Sequence, residues 1–467
     1  MASEPAGADL VVLAGELVTM GPDRAVLTDA GIAIADGVIT AIGPASEVRA
    51  THPEATVLDA RDHVVTPGFV DGHQHLTADP LTRSSIPDHL HSHESIYDWI
   101  VPIHAAHSGD DDELSAICAA VAALSAGVTT VCEPGTVAHP VRVAAGLDRV
   151  GIRGVVATWG WDVEGGPYAG SVDEVLERQR ALVAALPADP TRRVTSWVSL
   201  VGHDLASDEL WSGAADLARE LGTGFTFHMS PTTDDGERYR ERSGRPPLVH
   251  LHDLDVLGPN VAIGHAVHLD DAELELILAT DTAVVSCPWA YLRLAQGLTG
   301  GGRHHELVAR GARLAVGSDA QNAADGIDAL AAAATLVAVA RDQLRDPLVA
   351  GGTDVLELAT IGGAAALGLD HVVGSIEVGK RADLVVHDTD DVRWLPRGDD
   401  VALELAWGVG AATVRDVVVD GRVVLADRRP TFVDLDELRP LATAARRALL
   451  DRAGIEPGRR WPRHPAR

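Results

Sequence analysis

The chain has 467 residues, 46% of them apolar and 23% charged, which is close to the globular average and excludes disordered, collagenous and disulfide-scaffold classes for its bulk. Lys and Arg number 38 against 68 Asp and Glu, a net charge of −30. That balance argues against nucleic acid or an anionic membrane as the partner, because both are met by basic patches, and suits an enzyme for a small molecule.

Three scattered cysteines, Cys118, Cys132 and Cys287, make no disulfide framework and point to a reducing compartment. Met1–Ala8 lacks the basic start and apolar run of a signal peptide, and no stretch reaches about 18 consecutive apolar residues. The expectation is a cytoplasmic protein without a transmembrane helix, with a dimer as the commonest assembly for such a chain.

In chain order, Leu10–Leu13, Ile32–Ala35 and Val38–Ile42 read as strands, the last two joined by an Asp36–Gly37 hairpin turn. Val57–Leu58 and His63–Val65 continue the strand texture, with a short turn near Ser46–Thr51. From residue 67, β-rich runs alternate with helical segments. The helices are Ser115–Ser125, Val172–Leu186, Ser207–Leu221, Asp271–Ala279 and Gly326–Asp342. The runs between them are Thr129–Cys132, Gly154–Thr158, Arg193–Leu200, Gly224–His228, Val261–His265, Ala283–Cys287 and Leu314–Ser318. Alternation of this kind predicts a parallel sheet, and about eight units predict a closed (β/α)8 barrel.

Strand texture then returns in Gly374–Lys380, Asp383–His387, Val414–Val419 and Val423–Ala426, with a turn at Asp420–Gly421. Leu435–Leu450 reads as a helix and the Pro/Arg-rich Arg459–Arg467 as a frayed end. The expected architecture is α/β. A TIM barrel over residues 67–373 is flanked by a small β-sandwich domain that both termini build, residues 1–66 and 374–467.

The strongest local signal is PGFVDGHQHL, Pro67 to Leu76. His73 and His75, two residues apart on a strand, project from one face. His228 closes one predicted strand, His265 closes the next, and Asp319 follows directly on Leu314–Ser318. Seven strand-to-strand steps from His75 to Asp319 average about 35 residues, the size of a βα unit. These five residues can therefore converge on the catalytic face of a barrel. Histidines with a carboxylate suit one divalent ion with an open water position, Zn first, with Fe or Mn as alternatives. For any one of these histidines the bland alternative is an ordinary buried or surface imidazole.

Here the residues resemble a known family. With the first-strand motif go Gly264-His265-Ala266-Val267-His268-Leu269, Ser286-Cys287-Pro288 followed by Leu292-Arg293-Leu294, Gly317-Ser318-Asp319, and Gly374 to Leu384. The chain is identified by them as a member of the amidohydrolase superfamily, in its cytosine deaminase-like branch, which includes guanine deaminase, adenosylhomocysteine deaminase and triazine hydrolases. The resemblance implies that His73, His75, His228 and Asp319 hold one metal, that His265 moves protons beside it, and that His203 contacts substrate. Asp319 is expected to serve as a catalytic base as well.

The chain departs from the branch at one place. Where His-x-x-Glu is usual, it has His228-Met229-Ser230-Pro231, and proline carries no proton. This counts against an ordinary purine or pyrimidine deaminase, unless Asp234, Asp235 or Glu237 takes the role of the Glu. The expected function is metal-dependent hydrolysis of a C–N bond in a small heterocyclic compound, by deamination or by opening a cyclic amide or amidine. Displacement of a group such as chloride from a heteroaromatic ring, and a non-catalytic metal-binding relative, are the alternatives.

Trp161 and Trp289, with Trp159 and Tyr168, are candidates to stack on a flat substrate, rim packing being the other reading. His89, His91 and His93 form a loop near the expected mouth, either plain surface or lid. Gly300–Gly302 is read as a flexible loop and Cys287 as buried and inert.

Overall fold

Backbone hydrogen bonds sort the strands of this computed structural model, which describes residues 8–163, 166–189, 191–458 and 461, into three sheets. Nearly all of Met1–Ala8 and of Arg459–Arg467 lies outside the described residues.

The terminal strands join one eight-stranded sheet, ordered Arg429–Pro430, Arg422–Ala426, Val414–Val419, Leu384–His387, Thr56–Pro67, Leu10–Val18, Val26–Ala35, Val38–Pro44. The Asp36–Gly37 turn is present, with φ of +50° and +76°, the pair of left-handed residues that a tight hairpin requires. Two departures from the sequence reading have local causes. Val57–Leu58 and His63–Val65 belong to one long strand whose polar middle, Asp59 to Asp62, still pairs in part with Leu10–Val18. Gly374–Lys380 is no strand, because Gly374 and Gly379 take φ of +89° and +96° and turn the chain.

The remaining strands are parallel. One sheet runs Phe69–Asp71, Val128–Cys132, Arg153–Val156, Val194–Ser196; the other runs Val198–Gly202, Phe225–Met229, Val261–His265, Ala283–Ser286, Leu314–Val316. All are buried, as parallel strands covered on both faces are. The predicted strand Arg193–Leu200 is interrupted at Trp197, where one sheet ends and the other begins. At the opposite ends, Gly72 N donates to Val316 O (2.9 Å) and Asp319 N to His73 O (2.8 Å), which sets the last strand beside the first.

Helices fill the connections. Val172–Ala185, Asp208–Leu221, Asp271–Ala279 and Ala329–Leu344 lie close to their predicted bounds. Gly109–Ser125 starts earlier than expected, because Ser108 caps it and Asp110–Asp112 fill its first turn. Pro140–Val150, absent from the predicted set, opens on Pro and closes on left-handed Gly151. The last helix, Leu435–Ala453, buries Leu449 and Leu450 against Ala78, Leu81 and Ile103. It thereby braces the segment after the first parallel strand. Among the described residues, no helix is long and apolar enough to cross a membrane, and all three cysteines are free thiols.

Candidate active site

The site forms where the parallel strands end. His73 and His75 follow Phe69–Asp71, His228 lies in Phe225–Met229, His265 ends Val261–His265, and Asp319 comes three residues after Leu314–Val316. Four of these strands reach this end with residues that a sheet does not tolerate further. His265, Ala266 and Asp319 have φ of +79°, +48° and +60°, and His203 and Ser230 have +53° and +51°. Backbone of this kind in non-glycine residues is costly and turns the side chains out of the ladder into the space above it. Gly264 is required for a different reason: a Cβ there would come within 2.5 Å of the His73 ring.

The five residues named from sequence come together. The His73 ring centre lies 5.3 Å from that of His75, 4.8 Å from that of His228 and 5.0 Å from that of His265. Asp319 Oδ1 is 3.4 Å from His75 Nε2 and 4.0 Å from His73 Nε2, while Oδ2 is 4.0 Å from His265 Nδ1. His228 Nδ1 meets the Val201 carbonyl at 2.7 Å, which fixes its proton there and bares Nε2. That Nε2 faces His75 Nε2 at 3.4 Å, and His73 Nε2 is buried without a hydrogen-bond partner. Ring nitrogens aimed at one another repel unless a cation or a proton lies between them. The nitrogens of His73, His75 and His228 lie within 4.8 Å of one another and fit a divalent ion, with Asp319 Oδ1 beside two of them.

The charges agree with this for His73 and His228, while His75 would give up a proton to an incoming ion. Burial pushes His73 and His228 well below the ordinary histidine range and His265 down to about 4, so these rings are neutral, as ligands must be. Burial also opposes charge on His75, but Asp319, Glu133 and Asp79 outweigh it and hold His75 up at about 9. Burial pushes Asp319 up, and the contact with the protonated His75 overcomes it, holding the carboxyl well below its usual range. Cys287 is buried with its thiol pushed up, hence neutral and inert.

Above the cluster opens a cavity of about 220 Å³. Trp159 and Trp161 line it with rings 5.2 Å apart, and His203, His93 and His104 also reach it. His203 Nδ1 pairs with Asp235 Oδ2 at 2.8 Å, and the same oxygen accepts from Ser230 N at 2.6 Å. Pro231 and Asp234 stand on the same wall, and Glu237 lies exposed outside the lining. Of the carboxylates after His228, Asp235 is thus tied to His203 rather than presented to a ligand.

One expectation is corrected. Trp289 does not reach the cavity. The short helix Pro288–Arg293 turns it toward Ala329–Leu344, where its indole N–H finds Thr335 Oγ1 at 2.9 Å and its ring packs on Gly326. Sequence reasoning also missed three groups. Tyr291 places its hydroxyl 3.3 Å from His265 Nδ1, Thr136 places its own 2.7 Å from His75 Nδ1, and Asp71 accepts from Ser318 N and Oγ across the first and last strands. Only Asp71 had a signal, its place inside PGFVDGHQHL.

The amidohydrolase family model matches residues 64–424, and a bacterial imidazolonepropionase-like composite domain matches residues 30–55. A 5-methylthioadenosine/S-adenosylhomocysteine deaminase from Symbiobacterium thermophilum is 30% identical over 421 residues, 90% of this chain and 94% of that protein. One of the same description from Syntrophobacter fumaroxidans is 29% identical over 92% of this chain and 96% of its own length. Among solved structures, an adenosine deaminase from Xanthomonas campestris with bound zinc superimposes with a TM-score of 0.88 at 27% identity, covering 96% of this chain and 100% of that one.

Proposed function

The chain belongs to the amidohydrolase family, as a hydrolase of C–N bonds, and from that premise we propose that it deaminates an adenine-type nucleoside with a small neutral 5′ group. The observation that carries the reading is the convergence of His73, His75, His228 and Asp319 on the floor of an aromatic-walled cavity, in a chain whose relatives are named as deaminases along nearly their whole length.

In this reading those four residues hold one ion, which we take as Zn on the donor set. When bound, such an ion supplies a water of lowered pKa and polarises the bond to be broken. Asp319 Oδ2 takes the proton of the attacking water, and His265, 4.0 Å away, hands it on toward the departing nitrogen. Trp159 and Trp161 flank the base. Asp235 holds His203 by its Nδ1, so that Nε2 is offered to substrate. Asp79, Asp234, Asp235 and Asp319 line the cavity with one arginine, Arg238, which favours a neutral methylthio or deoxy group over one bearing a carboxylate.

We further read the two parallel sheets as one closed eight-position barrel over residues 67–373. The bonds from Gly72 to Val316 and from Asp319 to His73 support closure. Residues 1–66 and 374–467 are then the flanking domain. Its sandwich character is supported by one apolar cluster that gathers Val12, Ile32 and Ile39 with Leu384, Val386 and Val418 from across the eight-stranded sheet. The free thiols support a cytoplasmic setting.

The test is a panel of 5′-methylthioadenosine, 5′-deoxyadenosine, adenosine and S-adenosylhomocysteine with the Zn-loaded protein, followed by ammonia release. Ammonia from the neutral nucleosides in preference to S-adenosylhomocysteine is the expected result. No ammonia from any of them overturns the reading. Pro231 favours a second one, hydrolytic loss of a group that needs no proton, and halide release from a chlorinated heteroaromatic ring would select it.

A further inference from the structure

We propose that Glu133 and Thr136 dictate which nitrogen of His75 faces the metal cluster, and so act as positioning residues for the ion. The inference rests on the reading of His75 as a ligand and adds what sets that ligand's geometry.

Glu133 follows the strand Val128–Cys132 and is completely buried; among the described residues it makes no ion pair. Its bonds are instead to the chain around the first-strand histidines. Oε2 accepts from Leu76 N at 2.7 Å, and Oε1 accepts from Gly135 N at 3.0 Å, Thr136 N at 2.8 Å and Thr136 Oγ1 at 3.1 Å. A carboxylate can only accept, so the single hydroxyl hydrogen of Thr136 is committed to it. The 2.7 Å contact between Thr136 Oγ1 and His75 Nδ1 must then run the other way, with His75 as donor. Once the ring is neutral, as binding of a cation requires, a proton held on Nδ1 leaves the lone pair on Nε2, which is the nitrogen that faces His228 Nε2 and Asp319 Oδ1. Glu133 thus sets the tautomer of His75 through one intervening hydroxyl. Its bond to Leu76 N also pins the backbone next to that ring.

His228 has the same arrangement with fewer parts, because the Val201 carbonyl can only accept and no relay is needed. Both rings therefore offer Nε2 with the proton held at Nδ1. For His75 alone the acceptor is a side chain, so the arrangement can be removed without touching a ligand.

Thr136→Val keeps the branched shape and deletes the hydroxyl, and Thr136→Ser keeps the hydroxyl. Zn affinity and release are measured on the full chain by competition with a chelator, with the melting temperature of the metal-free protein as a check on folding. Outer partners of metal-binding histidines are worth about 10–100-fold in affinity. Thr136→Val is expected to bind Zn about 10–100-fold more weakly and release it faster. Thr136→Ser should restore both, and His75→Ala should lose far more. Wild-type affinity in Thr136→Val, beside a clear loss in His75→Ala, overturns the positioning role and leaves the ligand reading standing. A wild-type protein that takes up no Zn overturns the ligand reading and this inference with it. Should Thr136→Val fail to fold, histidine-labelled wild-type protein loaded with Zn gives the answer by nitrogen NMR: His75 protonated at Nδ1 supports the inference, and His75 bound through Nδ1 overturns it.

Discussion

Two buried charged clusters in this molecule are built to opposite rules. Arg153, at the start of a parallel strand, holds Asp383 of the terminal region through both carboxylate oxygens at 2.9 and 3.0 Å. Asp420 approaches the same guanidinium at 3.5 Å and donates its own N–H to Asp383. Both oxygens of Asp383 are taken up, and the result is a clasp between the parallel sheets and the eight-stranded one. The cluster of His73, His75, His228 and Asp319 leaves His73 Nε2 without a partner, sets two imidazole nitrogens against each other, and holds Asp319 in a left-handed backbone. A structural network closes on itself, whereas a binding site leaves valence open and stores strain.

The comparison is broken most severely by exchanging the consequences. Asp319→Ala should abolish stoichiometric Zn and lower kcat/KM by at least about 1000-fold, with the melting temperature of the metal-free protein little changed. Elemental analysis and ammonia release check this. Arg153→Met should do the reverse. It strands Asp383 in the interior at a cost of about 3–5 kcal/mol in unfolding free energy, read from urea melts, and leaves Zn content intact. Equal loss of stability in both variants would erase the distinction.

A smaller effect concerns the wall beside the cluster. Pro231 lines the cavity three residues after His228, where the family resemblance leads one to expect a proton-bearing Glu. Restoring it as Pro231→Glu should raise ammonia release from an aminated heteroaromatic by about 10–100-fold, the lower part of what general acid catalysis supplies. An unchanged rate with Zn bound would mean that Asp319, His265 and His203 already handle every proton, and that the cavity is shaped for a substrate that needs no more.

The residues of the candidate cluster were legible in sequence because each sits at the end of an apolar β-rich run, where period and position coincide. The supporting groups were not. Thr136 and Tyr291 lie in turns and short helices whose course depends on packing, and a threonine one turn beyond a strand looks like any other. Trp289 shows the converse: adjacent in sequence to the motif Ser286-Cys287-Pro288, it is rotated away by one turn of helix toward Thr335. The Asp235 partnership with His203 was equally hidden, since it joins residues from two strand ends through a left-handed turn at Ser230. In the terminal sheet, hairpin chemistry at Asp36–Gly37 was readable, while the long strand Thr56–Pro67 was disguised by its polar middle.

The smallest predicted effect belongs to the closed side of the comparison. His387 ends a strand of the terminal sheet, fully buried, with Thr66 Oγ1 at 3.1 Å from Nε2 and Thr413 Oγ1 at 3.4 Å from Nδ1. Burial pushes its pKa down to about 3, so the folded protein keeps it neutral where the unfolded chain would take a proton. Below the unfolded value of about 6.5 the unfolded state therefore binds more protons, and stability falls as pH falls, down toward the folded value. For one such group the loss between pH 7 and 6 is roughly 1 kcal/mol or less. His387→Gln removes the titration and keeps a polar group among the threonines, so its unfolding free energy should fall less steeply with acid than that of the wild type. The difference between the two slopes isolates His387 from the other buried histidines, which titrate in both proteins. Identical slopes would mean that His387 remains protonatable in the fold, and the terminal sheet would then be more open to water than its packing shows.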